Sequence, residues 1–371
     1  MPGHDKHGVN RRTFIKTTAI GGGVAGLAGC VGEDEVPDDD GTDDTADDDP
    51  APADDDEEEE AEAPAEATEM VMVTSDAATA AYAASQGIAA AVNENTDAVF
   101  VEAQPSEGTE ANVGQLNRQE AHIGYIQNWT AEEIREGVEP FDDLDFQPSQ
   151  VFHFYDLPWV FATANEDWTS IMDIEADSRV NPTPAGSGTA PALEHALGEH
   201  AGLEYERVSF GFGEMGGAMN EGRLDAGAVT YMNFVIEPGW LQEMKGTVDL
   251  RLLDVPDDVA DAWDDDPALL VQDVDLTQFD GYDYAPDTIP GLTYSYNFIV
   301  RDDFDYDAVY EFLSTMFAVR DELADYHAIL GFFEDPDFWV QNMYEGIPFH
   351  PAAADFYEEQ GLWRDEFERA D

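Results

Sequence analysis

Between residues 70 and 127 two periodicities take turns along the chain. "MVMVT" (70–74), "AVFVEA" (98–103) and "HIGYIQ" (122–127) are apolar runs of strand length, and stretches near 77–93, rich in alanine, and 109–118 separate them with helical patterning. This order predicts right-handed βαβ units and a parallel sheet. After "FHFYDLPWVFATAN" the order begins again, with strand-like "RVNPT", a helix entered through "AGSGT", strand "RVSFGF", a short helix "GEMGGAMNEG" and strand "DAGAVTY". Two similar half-domains follow from that repetition. "RQEAHIGYIQN" (118–128) and "EGRLDAGAVTYMN" (221–233) share a layout: a helix end, an acidic turn, a small apolar strand and a polar stop at Asn128 or Asn233.

The last third of the chain has a different texture. Strand "TYSYNFIVRDD" (293–303) leads into Val309, Phe312, Leu313, Met316 and Phe317 at helical spacing, and further helices are expected over 320–330 and 351–360. Residues 255–292, rich in Asp, Pro and Tyr, carry no clear period. The expected fold is α/β: two lobes, each a doubly wound sheet, with a ligand cleft between them. Lobe 1 takes 70–158 and 295–371, and lobe 2 takes 159–294.

Composition changes what such a fold would meet. Asp and Glu number 83 against 15 Lys and Arg, for a formal charge of −68. Nucleic acid is excluded as a partner by so strong a negative field. Lysine occurs only as Lys6, Lys16 and Lys245, and a chain so acidic is expected to fold in molar salt, which screens charge over about 3 Å; the reading is an extreme halophile. Residues 31–69 are largely Asp, Glu, Ala, Pro, Thr and Gly, a composition that predicts a solvated linker. Ahead of it, Arg11 and Arg12 followed by Phe14, Ile15, Lys16 and a short Gly/Ala-rich stretch resemble a twin-arginine export signal (residues 1–30). Cys30, the sole cysteine, ends "LAGC", which resembles a lipobox; cleavage there would leave a lipid-anchored N-terminus at the outer membrane face.

Catalytic motifs fail on spacing. Around Ser187 the nucleophile elbow G-x-S-x-G would need glycines where Ala185 and Thr189 stand. No phosphate loop, dinucleotide fingerprint or H-E-x-x-H occurs, so neither enzyme activity, nor a cofactor, nor a metal is expected. His195 and His200, five apart, do not share a face of an α-helix. Polar loops, by contrast, sit at the expected carboxyl ends of the strands, where open α/β sheets bind ligands. They supply Ser75, Asp76, Thr79 and Tyr82; Ser106, Gly108 and Thr109; Gln127 and Asn128; Gly186, Ser187, Gly188 and Thr189; and Tyr231 and Asn233. "PAGSGT" is either an ordinary turn or, with Thr189 as N-cap and Pro191 in the first turn, a helix N-terminus whose amides face an anionic group. Trp129, Tyr155, Trp159 and Tyr231 are candidate walls or core residues.

At these residues the chain resembles the TAXI family of extracytoplasmic solute receptors of TRAP transporters. The resemblance runs from about Met70 to Trp363 through "GTEANVGQLNRQEAHIGYIQN", "AGSGT", "LDAGAVTYMNFVIEPGWLQEM" and "GIPFHPAAADFYEEQGLW". It implies a periplasmic-binding-protein fold of type II that closes on a small organic solute, a carboxylate or amino acid, and delivers it to an ion-gradient-driven TRAP permease. The alternative is a sensory surface protein of the same fold. Where the family has a glycine-rich loop with paired aromatics, this chain reads "SDAATAAYAA"; an Asp76 facing the cleft would favour a solute bearing an amino group.

Overall fold

A computed structural model describes residues 67–371 apart from Ala78 and Gly186, so Arg11, Arg12, Cys30 and the acidic run lie outside the described residues. The first βαβ run is β1 (Thr68–Val73), α1 (Ala80–Asn95), β2 (Val99–Gln104), α2 (Thr109–Asn117) and β3 (Ile123–Gln127). Helix α1 forms because Ala81, Ala84, Ser85, Ile88, Ala91 and Val92 fall on one buried stripe and Thr79 caps it, its hydroxyl accepting the Tyr82 N–H at 3.2 Å. α3 (Asn128–Glu136) follows β3 without a break, started by the Gln127 side chain accepting the Trp129 N–H.

The second run is β5 (Arg179–Asn181), α4 (Ala190–His195), β6 (Glu206–Arg207), α5 (Met215–Asn220) and β7 (Ala226–Thr230). Two long strands join the runs, β4 (Pro148–Thr163) before the second and β10 (Thr288–Arg301) after it. Both are buried along nearly their whole length, polar Gln150, His153, Asp156, Ser295 and Asn297 included.

The strand order, β2-β1-β3-β10-β4-β7-β5-β6, is the same motif written twice. In each run the first strand lies parallel between the second and third, as β1 between β2 and β3 and β5 between β6 and β7. The third strand then pairs antiparallel with a long strand, β3 with β10 and β7 with β4. β4 and β10 pair with each other between Pro148–Trp159 and Leu292–Arg301, and their far ends run on into the second lobe against β7, β8 (Arg251–Leu253) and β9 (Val271–Asp275). This is a two-lobed α/β fold with both links made of extended backbone.

The links are pinned by polar contacts. Asp156 and Asn233 exchange backbone and side-chain hydrogen bonds at 2.8 Å, and Asp156 Oδ2 accepts Gln341 and Asn342 amides, each at 2.8 Å. Gly291 lets β10 pass β9 closely, since a Cβ there would meet Val274 Cγ2 at 2.8 Å.

Several expectations are corrected. "RVSFGF" contributes only two strand residues, because Phe210 and Phe212 turn to pack elsewhere. Residues 320–330 are tight 3₁₀ turns, Arg320–Asp325 and Ala328–Glu334, not one helix. The unassigned stretch 255–292 holds α7 (Asp257–Asp264) and β9, with the start of β10 at its end, while α6 (Gly239–Thr247) precedes it. α8 (Tyr306–Ala318) and α9 (Pro351–Gln360) complete the fold. The His195/His200 argument also fails: α4 widens into a π-helix at Ala196–His200, and the two rings stand 5.0 Å apart.

Candidate functional site: a cleft between the lobes

A cleft of about 1430 Å³ opens where the carboxyl ends of β1, β3, β5 and β7 converge. Its floor is set by register. Gln127, Tyr296 and Tyr155 stand abreast on β3, β10 and β4, and Trp159 stands opposite Thr230 of β7. All five line the cleft. Tyr155 and Tyr296 stack at 4.8 Å with their planes 6° apart, and Tyr125 meets Tyr296 edge-on at 4.9 Å. Burial pushes the Tyr125 phenol up to about 12, against the pull of hydrogen bonds from Ser75 and Tyr155, and it raises Tyr155 and Tyr296 well above the usual phenol range. These hydroxyls therefore stay protonated at neutral pH.

In the second lobe an aromatic ladder forms the wall, Trp159 against Phe212 at 5.7 Å and Phe212 stacked on Trp240 at 5.0 Å. The Trp159 indole N–H is buried and has no acceptor among the described residues. A buried donor without a partner is uncommon enough to call for a reason.

The two rims are built differently. On the first, Ser75 and Thr79 hydroxyls lie 2.6 Å apart and Thr79 donates to the Asp76 carbonyl; Asp76, Glu107, Gly108 and Thr109 complete the edge. Gly108, at φ 121°, turns the chain into α2. On the second rim are Ser187, Gly188 and Thr189, with the two hydroxyls 2.7 Å apart. A Cβ on Gly188 would stand 3.7 Å from the Thr109 hydroxyl, so the rims nearly meet. Thr189 precedes α4 but makes no side-chain cap, and α4 has only six α-helical residues. The helix-dipole argument for this loop loses most of its force on so short a helix.

Of the residues singled out from sequence, Ser75, Asp76, Thr79, Gly108, Thr109, Gln127, Tyr155, Trp159, Ser187, Gly188 and Thr189 line the cleft. Gly186 lies outside the described residues. The structure puts the others to different uses. Ser106 donates to the Thr74 carbonyl and Tyr82 to the Ala103 carbonyl. Asn128 bridges the Ser295 N–H and the Ala268 carbonyl. Tyr231 stacks on Phe279 and bonds Tyr282, Asn233 serves the link at Asp156, and Trp129 faces His195 at 5.5 Å. Sequence reasoning missed Tyr125, Tyr296, Thr230, Phe212 and Trp240. For Tyr125 a signal existed, since it shares the strand face of Gln127 two residues on.

The electrostatics of the lining are one-sided. Asp76, Glu107 and Glu110 bring carboxylates, and the cation on the lining is Arg118, which pairs with Glu120 at 2.8 Å. Among the described residues no helix is long and apolar enough to cross a membrane.

Comparison with known proteins places the chain. It is similar in structure to a TctC solute-binding protein from Polaromonas (15% identity, 75% of this chain and 90% of that one, TM-score 0.43). It is likewise similar to a probable amino-acid ABC transporter extracellular-binding protein from Bacillus subtilis (12%, 71% and 96%, TM-score 0.43). A third is the alkanesulfonate-binding protein SsuA from Xanthomonas axonopodis pv. citri, bound to MOPS (13%, 82% and 96%, TM-score 0.43). No curated protein sequence matches. The profile of one family covers residues 72–361, and the chain belongs to that family, the NMT1-like family.

Proposed function

We propose that the protein is an extracytoplasmic solute receptor that closes its two lobes, 70–158 with 295–371 and 159–294, around one small polar organic solute and presents it to a TRAP-type permease. The observation that carries this reading is the convergence of strand carboxyl ends from both halves on a single cleft floored by aromatic rings. The rims already approach each other at Gly188 and Thr109, so a cleft lined by both lobes can enclose a small ligand with little further movement. The uninterrupted links β4 and β10 supply a hinge about residues 156–162 and 290–296. The acidic lining favours a solute carrying an amino or neutral polar group over a bare dicarboxylate, and the Trp159 N–H is the donor we assign to it. The reading assigns binding and release, not turnover.

Export through Arg11 and Arg12, a lipid on Cys30 and a spacer over 31–69 would hold this domain at the outer membrane face. A formal charge of −68 fits a molar-salt environment, and dialysis below about molar salt is expected to abolish the folded circular dichroism signal. Full retention of that signal at low salt contradicts the halophile reading.

The binding test begins with mass spectrometry of the solute that copurifies in high salt, followed by titration of the stripped protein with it. Trp159→Phe, which removes the N–H together with part of the ring system that packs against Phe212, should weaken binding by at least roughly five- to tenfold, the equivalent of one neutral hydrogen bond. Unchanged affinity would remove Trp159 from the site.

A further inference from the structure

The π-turn that follows α4 gathers a side-chain group outside the cleft. Residues five apart diverge on an α-helix but align on a π-helix, and here the Ala201 N–H donates to the Ala196 carbonyl at 3.1 Å, closing the wide turn. Trp263, buried on α7, donates its indole N–H to the same carbonyl at 2.9 Å and so holds the widening in place. As a result the Nε2 atoms of His195 and His200 converge on one oxygen, Asp266 Oδ2, at 2.9 and 2.8 Å. The other carboxylate oxygen accepts the Ala268 N–H at 2.9 Å, which fixes the direction in which Oδ2 points.

We infer that His195, His200 and Asp266 bind one divalent transition-metal ion of the zinc class, with a fourth position left to water or chloride. The donor set is two imidazole nitrogens and a carboxylate oxygen, the borderline-hard mixture such ions take. Ligands about 2.0–2.2 Å from a tetrahedral ion lie about 3.3 Å from one another; the three ligand atoms here all lie within 4.8 Å of one another, and the two His–Asp contacts need open by only roughly half an ångström. The three side chains are 33%, 22% and 17% exposed, open enough for a hydrated ion to enter. π-Turns cost helix geometry and recur at functional sites, which gives this one a reason to persist.

The place of the ion defines its work. It would clamp the far end of α4, whose near end follows the Ser187–Thr189 rim, to the 266–268 turn that receives the Asn128 amide from the first lobe. The site thus stiffens one rim of the cleft without touching solute, and it stands whether or not the solute reading holds.

Co²⁺ is the probe, because the many surface carboxylates bind cations only in octahedral water-rich shells, whereas a tetrahedral site gives intense visible d–d absorption. Chelator-treated full-length protein in molar salt, without solute, should develop that band, saturate at one Co²⁺ per chain and lose it to added Zn²⁺. His195→Gln, His200→Gln and Asp266→Asn should each weaken Co²⁺ by more than the roughly 10- to 100-fold expected of outer-sphere changes, while circular dichroism stays native. His122→Gln, elsewhere in the fold, should leave the band intact. A wild-type protein without the band, or a band that survives His195→Gln with His200→Gln, overturns the assignment and leaves a hydrogen-bonded His–Asp–His cluster.

Discussion

The two rims of the cleft occupy equivalent places in a repeated motif, yet they are built on different helices. After β1, Thr79 caps a helix that runs from Ala80 to Asn95 and packs its small residues against the C-terminal 3₁₀ turns, where a Cβ on Gly87 would meet Tyr326 Cβ at 3.0 Å and Leu330 Cδ1 at 3.1 Å. After β5, Thr189 makes no side-chain cap, and the helix it precedes ends at His195 and widens into a π-turn where Gly198 has open space around it. Equivalent position in a fold therefore does not mean equivalent rigidity. The first rim is anchored by packing and a cap; the second depends on Tyr294, whose hydroxyl donates to the Thr189 carbonyl, and on the His195–Asp266–His200 cluster.

That contrast can be broken by substitution, with stability read from urea denaturation in molar salt. The largest effect is expected at Gly87→Ala, where overpacking against Tyr326 and Leu330 should cost about 1–3 kcal/mol. Thr79→Ala should cost about 1 kcal/mol through loss of the cap, whereas Thr189→Ala, which gives up only the hydroxyl contact with Ser187 and no cap, should cost less. Gly198→Ala is expected to stabilise slightly, by up to about 1 kcal/mol, since it adds helix propensity in open space. If Thr189→Ala costs as much as Thr79→Ala, the two rims are alike and the contrast is wrong.

Buried and half-buried histidines outside the hinge give a pH dependence as well. Burial holds the imidazoles of His153, His122, His327 and His350 below their usual range, against smaller charge and hydrogen-bond effects that raise all but His327. Below about pH 6.5 the unfolded chain takes up protons that the folded chain refuses, so these groups stabilise the fold above that pH and the contribution is lost as pH falls. Comparing urea midpoints at pH 7.5 and just below 6 for wild type and His153→Gln should show a smaller drop in the variant.

How far the sequence spoke follows from which physics each element obeys. Local period was enough for β1, α1, β2 and α2, where partial burial leaves an alternating or amphipathic trace, and short apolar runs were enough for β3 and β7, which are buried throughout. Sequence reasoning put lobe boundaries at 158/159 and 294/295 but could not show that β4 and β10 are long strands paired with one another, because that pairing joins segments far apart in sequence. Nor could it show the π-turn: five-residue spacing excludes a shared face only if the helix is α, and what widens it is the Trp263 indole at the Ala196 carbonyl, 67 residues away. Polar loops at strand ends pointed to Ser75, Thr109 and Ser187. Tyr155 and Trp159 were among the aromatic candidates, but the stacked floor stayed hidden, because Tyr155 and Tyr296 become neighbours only through the antiparallel register of β4 and β10.

The receptor reading stands or falls with where a solute sits. A crystal structure of the protein grown in high salt with its copurified solute should show that molecule on the Tyr155 and Tyr296 rings, touching the first rim at Ser75 or Thr109 and the second at Ser187 or Thr189, with the lobes drawn together. A solute bound outside the cleft, or one that contacts a single lobe while the cleft stays open, would contradict capture by closure.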